Sequence, residues 1–208
     1  MTQPETRYDR RRARTRGVLM AAGRKLIGSH GITGLKISDI TEEADVALGS
    51  FYTYFANKDE LVEAVVEESL AEMAAAVGIT SENRDQDPAV TTALAVLRVV
   101  GIAFTDPDLA RLLVRLDHAD LVYSRAMGPD ALAVVRAGVA TGRFDVPDPT
   151  VVVHNVVAGS LALIRRILDG EHDRSVVVVQ AELTLRLLGL GAEESAAVAA
   201  RCAQIVTP

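Results

Sequence analysis

"ISDITEEADVALGSFYTYF", residues 37–55, decides how the rest of the chain is read. Ile37, Ile40 and Ala44 recur at spacings of three and four, the period of one helical face. Asp45-Val46 then turns the chain, and "ALGSFYTYF" resumes the helical period with Phe51 and Phe55 four apart and Ala47 beside them. Short helix, turn, short helix within about twenty residues is the scale of a helix-turn-helix. The stretch also holds four of the protein's eight aromatic side chains. Phe51 and Phe55 are expected to pack back on Ile40, while Gly49, Ser50 and Thr53 fall on the opposite, small-residue face. Tyr52 and Tyr54 flank the pair, and a helix this short cannot shield their hydroxyls, which need water or a partner. The alternative is that all four aromatics fill a core, burying two phenols in a very small unit.

Upstream, "TRGVLMAAGRKLIGSHG" sets Val18, Leu19, Ala22, Leu26 and Ile27 on one helical face, with Gly31 at its C-terminal end. Before it lies an arm in which seven arginines fall within the first 24 positions: Arg7, Arg10, Arg11, Arg12, Arg14, Arg16 and Arg24. The chain carries a net charge of −6. That total hides +4 over residues 1–58 and −10 over residues 59–208. Such asymmetry suggests that one part meets a polyanion.

Downstream the reading is helical throughout. A helix starts at Lys58 and runs to about Val77, "GITSENRDQDP" is a loop, and "PAVTTALAVLRVVGIAFTDP" is apolar almost all round. "DPDLARLLVRL", "DALAVVRAGVATG", "PTVVVHNVVAGSLALIRRILDG", "SVVVVQAELTLRLLG" and "AEESAAVAARCAQI" complete roughly ten helices. The valine runs at 151–153, 156–157 and 176–179 favour strands taken alone, but helical caps and Ala/Leu-rich continuations overrule them. The expected fold is all-α: an N-terminal three-helix domain with a helix-turn-helix, then a larger helical effector-binding and dimerisation domain. The expected boundaries are 1–57 and 58–208.

Several classes are set aside. Apolar runs are broken by charges before the roughly 18 residues that a membrane span needs. The charged N-terminus precedes no hydrophobic segment of a secretory signal. A lone Cys202 excludes an internal disulfide framework and suits a reducing, cytoplasmic setting. His30, His118, His154 and His172 have no metal-ligand spacing, so neither metal nor cofactor is expected. Phosphate-cradling glycine loops and nucleophile elbows are absent. Asp117-His118-Ala119-Asp120 reads as a polar helix end, and an enzyme is not expected.

"RGVLMAAGRKLIGSHGITGLKISDITEEADVALGSFYTYFANKDELVEAV" resembles the DNA-binding region of the tetracycline-repressor (TetR) family of bacterial transcriptional regulators. The likeness spans roughly residues 14–66. It rests on the order and spacing of Ala21-Ala22, Gly31, Asp39-Ile40, Val46, Gly49-Ser50-Phe51-Tyr52, Phe55 and Lys58-Asp59-Glu60-Leu61. Leu35-Lys36, Thr41 and Asp45 depart from the family pattern. Leu35-Lys36 stands where a Thr or Ser cap is usual, leaving Lys36 either as a phosphate contact by charge or solvated. Thr41 replaces Ala, and Asp45 replaces Gly but tolerates a left-handed turn.

The resemblance implies that the third helix enters the major groove of double-stranded DNA. Carried over by position, Leu48, Gly49, Ser50 and Thr53 are candidates for base edges. Tyr52, Tyr54 and Lys58 are candidates for phosphates, and Ser38 lies at the groove margin. This division matches the donors' chemistry. Leu48 has two readings, extension of the Phe51/Phe55 face inward or contact with a thymine methyl.

The family also pairs its subunits through its last long helices, here about 148–169 and 175–188. In the first, His154, Ala158, Ala162 and Arg165 share one side, which either meets a second copy or packs on its own subunit. A homodimer implies a near-palindromic operator. For the effector, Thr91, Arg98 and Thr105 form a stripe at spacings of seven, facing solvent or lining a cavity. In the second case Arg98, with Tyr123 and His118 or Asn155, supplies the polar groups of a mostly apolar pocket. The expected function is therefore a dimeric repressor released from its operator by a small, mostly hydrophobic effector. The competing function is a helical small-molecule-binding protein that keeps the helix-turn-helix only as scaffold.

Overall fold

Three Asp-Pro pairs punctuate the C-terminal two-thirds of the chain, and each opens a helix. Asp87 accepts from the Ala89 amide at 2.9 Å, Asp106 from Leu109 at 2.9 Å, and Asp148 from Thr150 at 2.8 Å and Val151 at 3.2 Å. The proline that follows needs no amide partner and is already set at a helical φ. The computed structural model describes residues 7–78, 86–116 and 128–206. Its elements are α1 (Arg7–Gly34), α2 (Ile37–Glu43), α3 (Leu48–Phe51), α4 (Lys58–Val77) and α5 (Pro88–Thr105). They continue as α6 (Pro107–Arg115), α7 (Gly128–Ala140), α8 (Pro149–Leu168), α9 (Val176–Leu187) and α10 (Ala192–Val206). Among the described residues there is no strand, and the valine runs lie within α8 and α9.

The arginine arm is helical from Arg7, so α1 starts well before the apolar face that announces it. Arg10, Arg11, Arg12 and Arg14 are exposed on this extension. Gly31 breaks α1 with φ 75°, a left-handed conformation that costs a side-chain-bearing residue strain. Past it the chain turns into α2.

α5 is the axis of the larger part. It packs against α4, α6, α7, α8, α9 and α10, with Ala89, Ala93, Leu97 and Val100 buried along it. By length and composition α5 and α8 are each apolar enough to cross a membrane, contrary to the expectation that charges break every such run. The reason is the sparseness of those charges: Arg98 stands alone in α5, and Arg165-Arg166 sit at the far end of α8. Both helices bury one face in the bundle.

α1 joins the two parts. It packs on α2 and α4 and, most extensively, on α6. At the α1–α6 crossing Gly28 admits the neighbouring backbone: a Cβ built there would lie 3.2 Å from the Arg111 Cβ and 3.4 Å from the Asp108 carbonyl oxygen. Arg24 pairs with Glu72 of α4 at 2.9 Å and with Asp106, the cap of α6, at 2.8 Å. Arg115 adds a bond to the Ser29 carbonyl at 3.0 Å.

Candidate DNA interface and effector cavity

The first candidate site begins with a turn. Asp45 has φ 52°. The amides of Asp45 and Val46 bond back to Glu42 and Thr41 at 3.1 and 3.0 Å, closing the end of α2. The left-handed residue reverses the chain so that α3 crosses α2. Lys36 is the N-cap of α2 and makes no side-chain cap bond, as loss of the usual hydroxyl predicts. Thr41 is buried, and its hydroxyl donates to the carbonyls of Ile37 and Ser38 at 3.1 and 3.0 Å.

Phe51 and Phe55 are buried, with ring centroids 5.7 Å apart, on a core that includes Ile40 and Leu19. Regular helix α3 ends at Phe51, and the chain continues to Phe55 in tight turns. Thr53 bonds to Ser50 at 3.2 Å, Tyr54 to Phe51 at 2.9 Å and Phe55 to Phe51 at 3.0 Å. The recognition element is thus shorter than its helical period suggests, because successive three-residue bonds tighten it.

What this leaves outside is specific. Leu48 is 54% and Tyr52 57% exposed, and Gly49 and Thr53 are exposed beside them. Ser50 and Tyr54 are half-buried. Of the two readings of Leu48, extension of the inner face is excluded by this exposure. Lys36 and Ser38 lie exposed at the start of α2, with the Ser38 hydroxyl donating to Asp39 at 3.0 Å. Lys58 is half-buried at the first position of α4, its ammonium 3.5 Å from the Ile32 carbonyl. Asn57 caps that helix by accepting from the Glu60 amide at 2.9 Å. Arg16, which sequence reasoning assigned only to a basic arm, sits over the Phe55 ring at 5.3 Å. That cation–π contact fixes the arm's helix to the turn unit.

The second candidate site is a cavity of about 100 Å³ between α5, α7, α8 and α9. Val99, Val135, Val153, Val156 and Leu161 give it hydrocarbon walls, and Met73 of α4 reaches it. Thr92, Ser160 and Thr184 bring hydroxyls. The residues expected to serve a ligand are not among the described lining. Arg98 is half-buried on α5 and has interactions of its own. Asn155 is exposed, and its amide donates to the Val151 carbonyl at 2.9 Å within α8. His118 and Tyr123 lie outside the described residues, as does the Asp117–Asp120 cluster. Of the stripe at spacings of seven, Thr91 is buried and Thr105 exposed; the cavity face of α5 runs instead through Thr92, Ala95, Val96 and Val99.

The third surface is on α8 and α9. His154, Ala158, Ala162 and Arg165 are all exposed. Arg165 nevertheless donates to the Val114 carbonyl at 3.3 and 3.0 Å in its own chain. Sequence reasoning did not single out Val151, Val179, Leu183 and Leu187, which stay largely exposed next to them. Their signal was present as a four-residue spacing in α9, indistinguishable from a core face by period alone.

Two family models match the chain. "Bacterial regulatory proteins, tetR family" covers residues 19–65, and "Tetracyclin repressor-like, C-terminal domain" covers residues 87–201. The crystal structure of RolR in complex with resorcinol is 28% identical, over 92% of this chain and 96% of that one, with a TM-score of 0.68. The fatty acid degradation regulator FadR from Bacillus halodurans is 19% identical, over 82% and 94%, with a TM-score of 0.69, a likeness of fold. The uncharacterized HTH-type transcriptional regulator YxbF of Bacillus subtilis is 35% identical over 72 residues, 34% of this chain and 19% of that relative's length.

Proposed function

The chain belongs to the tetracycline-repressor family of bacterial transcriptional regulators, and from that premise we propose that it is a homodimeric repressor released from a near-palindromic operator by a small effector. DNA-binding regulation of transcription is the family's activity, exerted in the cytoplasm and generally without catalysis. The proposed division of labour is residues 1–57 for DNA and 58–208 for the effector and dimer.

The observation that carries this reading is the exposed edge of the turn unit. Leu48, Gly49, Thr53 and Tyr52 stand in solvent directly over a buried Phe51/Phe55 pair. Apolar and phenolic surface held outward on a rigid base suits groove contact: Leu48 for a thymine methyl, Gly49, Ser50 and Thr53 for base edges. Tyr52, Tyr54, Lys58, Lys36 and Ser38 then serve phosphates. Lys58 must leave the Ile32 carbonyl to do so. The exposed arginines of early α1 extend the same electrostatic footprint.

For the dimer, the support is the apolar surface of Val151, Ala158, Ala162, Val179, Leu183 and Leu187 on adjacent helices. Two such pairs meeting would bury it as a four-helix interface. For the effector, the support is the cavity at the heart of α5, α7, α8 and α9, together with the small ring-shaped ligand that the RolR complex names. Coupling then requires that effector and DNA prefer different separations of the two turn units, and each must weaken the other by one factor.

The test is a gel shift of the full chain on the DNA upstream of its own coding sequence, over a salt series. Retarded DNA whose retention falls steeply with salt is expected. No retention at any salt would leave the competing reading, a small-molecule binder with a residual helix-turn-helix.

A further inference from the structure

Hydroxyls in helices usually return their proton to a carbonyl one turn back. Thr41, Thr141 and Ser29 do so here, and so does Thr184, which donates to Gln180 at 2.8 Å. Ser160 and Thr92 do not. Ser160 is only 5% exposed, yet among the described residues neither hydroxyl has a hydrogen-bond partner. Both belong to the lining of the hydrocarbon-walled cavity. Neither oxygen is among the described fully buried polar atoms that lack a partner, so both hydroxyls stay reachable from this apolar cavity, and a ligand's polar atom entering it can bond them.

We propose that this cavity is built for a small uncharged ligand, no larger than about one six-membered ring, whose hydroxyl or carbonyl oxygen is held by Ser160 and Thr92. Calling that ligand the effector rests on the regulatory reading above. Size follows from the volume of about 100 Å³. An apolar cavity of roughly 150 Å³ takes benzene, so one ring is the upper limit here and needs the cavity's partly open side as well. Charge follows from the walls: no Lys, Arg, His, Asp or Glu is among the described lining residues. A carboxylate entering would shed its water and meet no counter-ion. Thr184, whose proton is committed, remains able to accept a ligand's proton.

Phenol, toluene and benzoate, tested on the full-length protein by calorimetry at pH 7, separate the elements of the proposal. Phenol is neutral at that pH, toluene lacks the oxygen and benzoate carries a charge. Phenol should bind more tightly than toluene, and benzoate should not bind. Ser160→Ala and Thr92→Val should each weaken phenol about 3- to 10-fold and leave toluene unchanged or tighter. Ala95→Leu, which fills the cavity, should abolish both, with circular dichroism reporting that the variant is folded. Benzoate binding as well as phenol, phenol indifferent to both hydroxyl substitutions, or no binding by any probe to the folded chain would each overturn the proposal. A gel shift run with the same probes tests the regulatory reading separately. Phenol bound through Ser160 with DNA retention unchanged would sink the effector role and leave the cavity chemistry standing.

Discussion

Between Leu48 and Tyr52, both more than half exposed, sits Phe51 with no exposure at all. That contrast within five residues separates what folds the turn unit from what it presents. Phe51→Ala removes a ring from a closed core and should cost roughly 3–5 kcal/mol, read by denaturant unfolding. Leu48→Ala should leave stability within about 0.5 kcal/mol and lower the preference for one operator over its variants. Tyr52→Phe and Lys58→Ala should weaken all DNA sequences about equally, with a reduced salt slope for Lys58. A Lys58→Ala protein with altered preference and unchanged non-specific affinity would remove Lys58 from the phosphate set. The inward Phe51/Phe55 pair and the exposed small-residue face were legible in the four-residue aromatic spacing. The uncommitted hydroxyls of Ser160 and Thr92 were not, since nothing in a sequence says which hydroxyl returns its proton to the backbone.

At the scale of elements, the helix starts were the easiest to read. Asp-Pro states both cap and first turn, and all three such pairs became helix N-termini. The cavity was the hardest. Its walls are Val, Ala, Leu and Thr, the same residues that fill the core, so periodicity could not separate a lined hole from a packed layer. Arg98 stands out in the sequence because it is charged, while the cavity face of α5 runs one residue further on, through Thr92 and Val99. The α7 C-terminus offers a sharper test of packing. Phe144 lies against Gly138, where a built Cβ would come within 2.1 Å of the ring. Phe144 is buried and has little room to retreat, so Gly138→Ala should destabilise by roughly 1–3 kcal/mol, measured by thermal or denaturant unfolding.

The whole molecule is tied at its far end by one guanidinium. Arg143, after α7, grips Asp87 at the start of α5 in two bonds of 2.9 and 3.0 Å, and reaches Glu194 of α10 at 2.7 Å. The hydrogen bond from Arg143 holds the Asp87 carboxyl below the usual carboxylate range, despite the opposing effect of burial. A depressed folded-state pKa gives stability that is present above the ordinary carboxylate pKa and lost as pH falls through the folded value. The melting temperature should therefore decline below about pH 4, and Asp87→Asn should flatten that decline while lowering the neutral-pH value. At this scale the sequence pointed to α8 and α9 as the proposed pairing helices but not to the apolar face that α9 leaves exposed. Exposed Val179, Leu183 and Leu187 read like core residues until neighbouring helices are seen to leave them uncovered. If the proposed dimer forms through this face, Ala158→Arg or Leu183→Glu should give monomers on sizing chromatography, with operator binding lost in parallel. An unchanged dimer would move the interface elsewhere.

The seam between α1 and α6 bears on how such regulators are recombined. Gly28, Arg24 and Ser29 lie before any natural splice point near Lys58, while Arg111, Glu72, Asp106 and Arg115 lie after it. A chimera that grafts a foreign DNA head at that junction inherits half of each contact. It would have to import a small residue opposite Arg111 and an arginine opposite Glu72 and Asp106, or lose the contacts that join the two parts. Recombining this chain therefore depends on a compatibility code of a few residues, written across the join and invisible in either module alone.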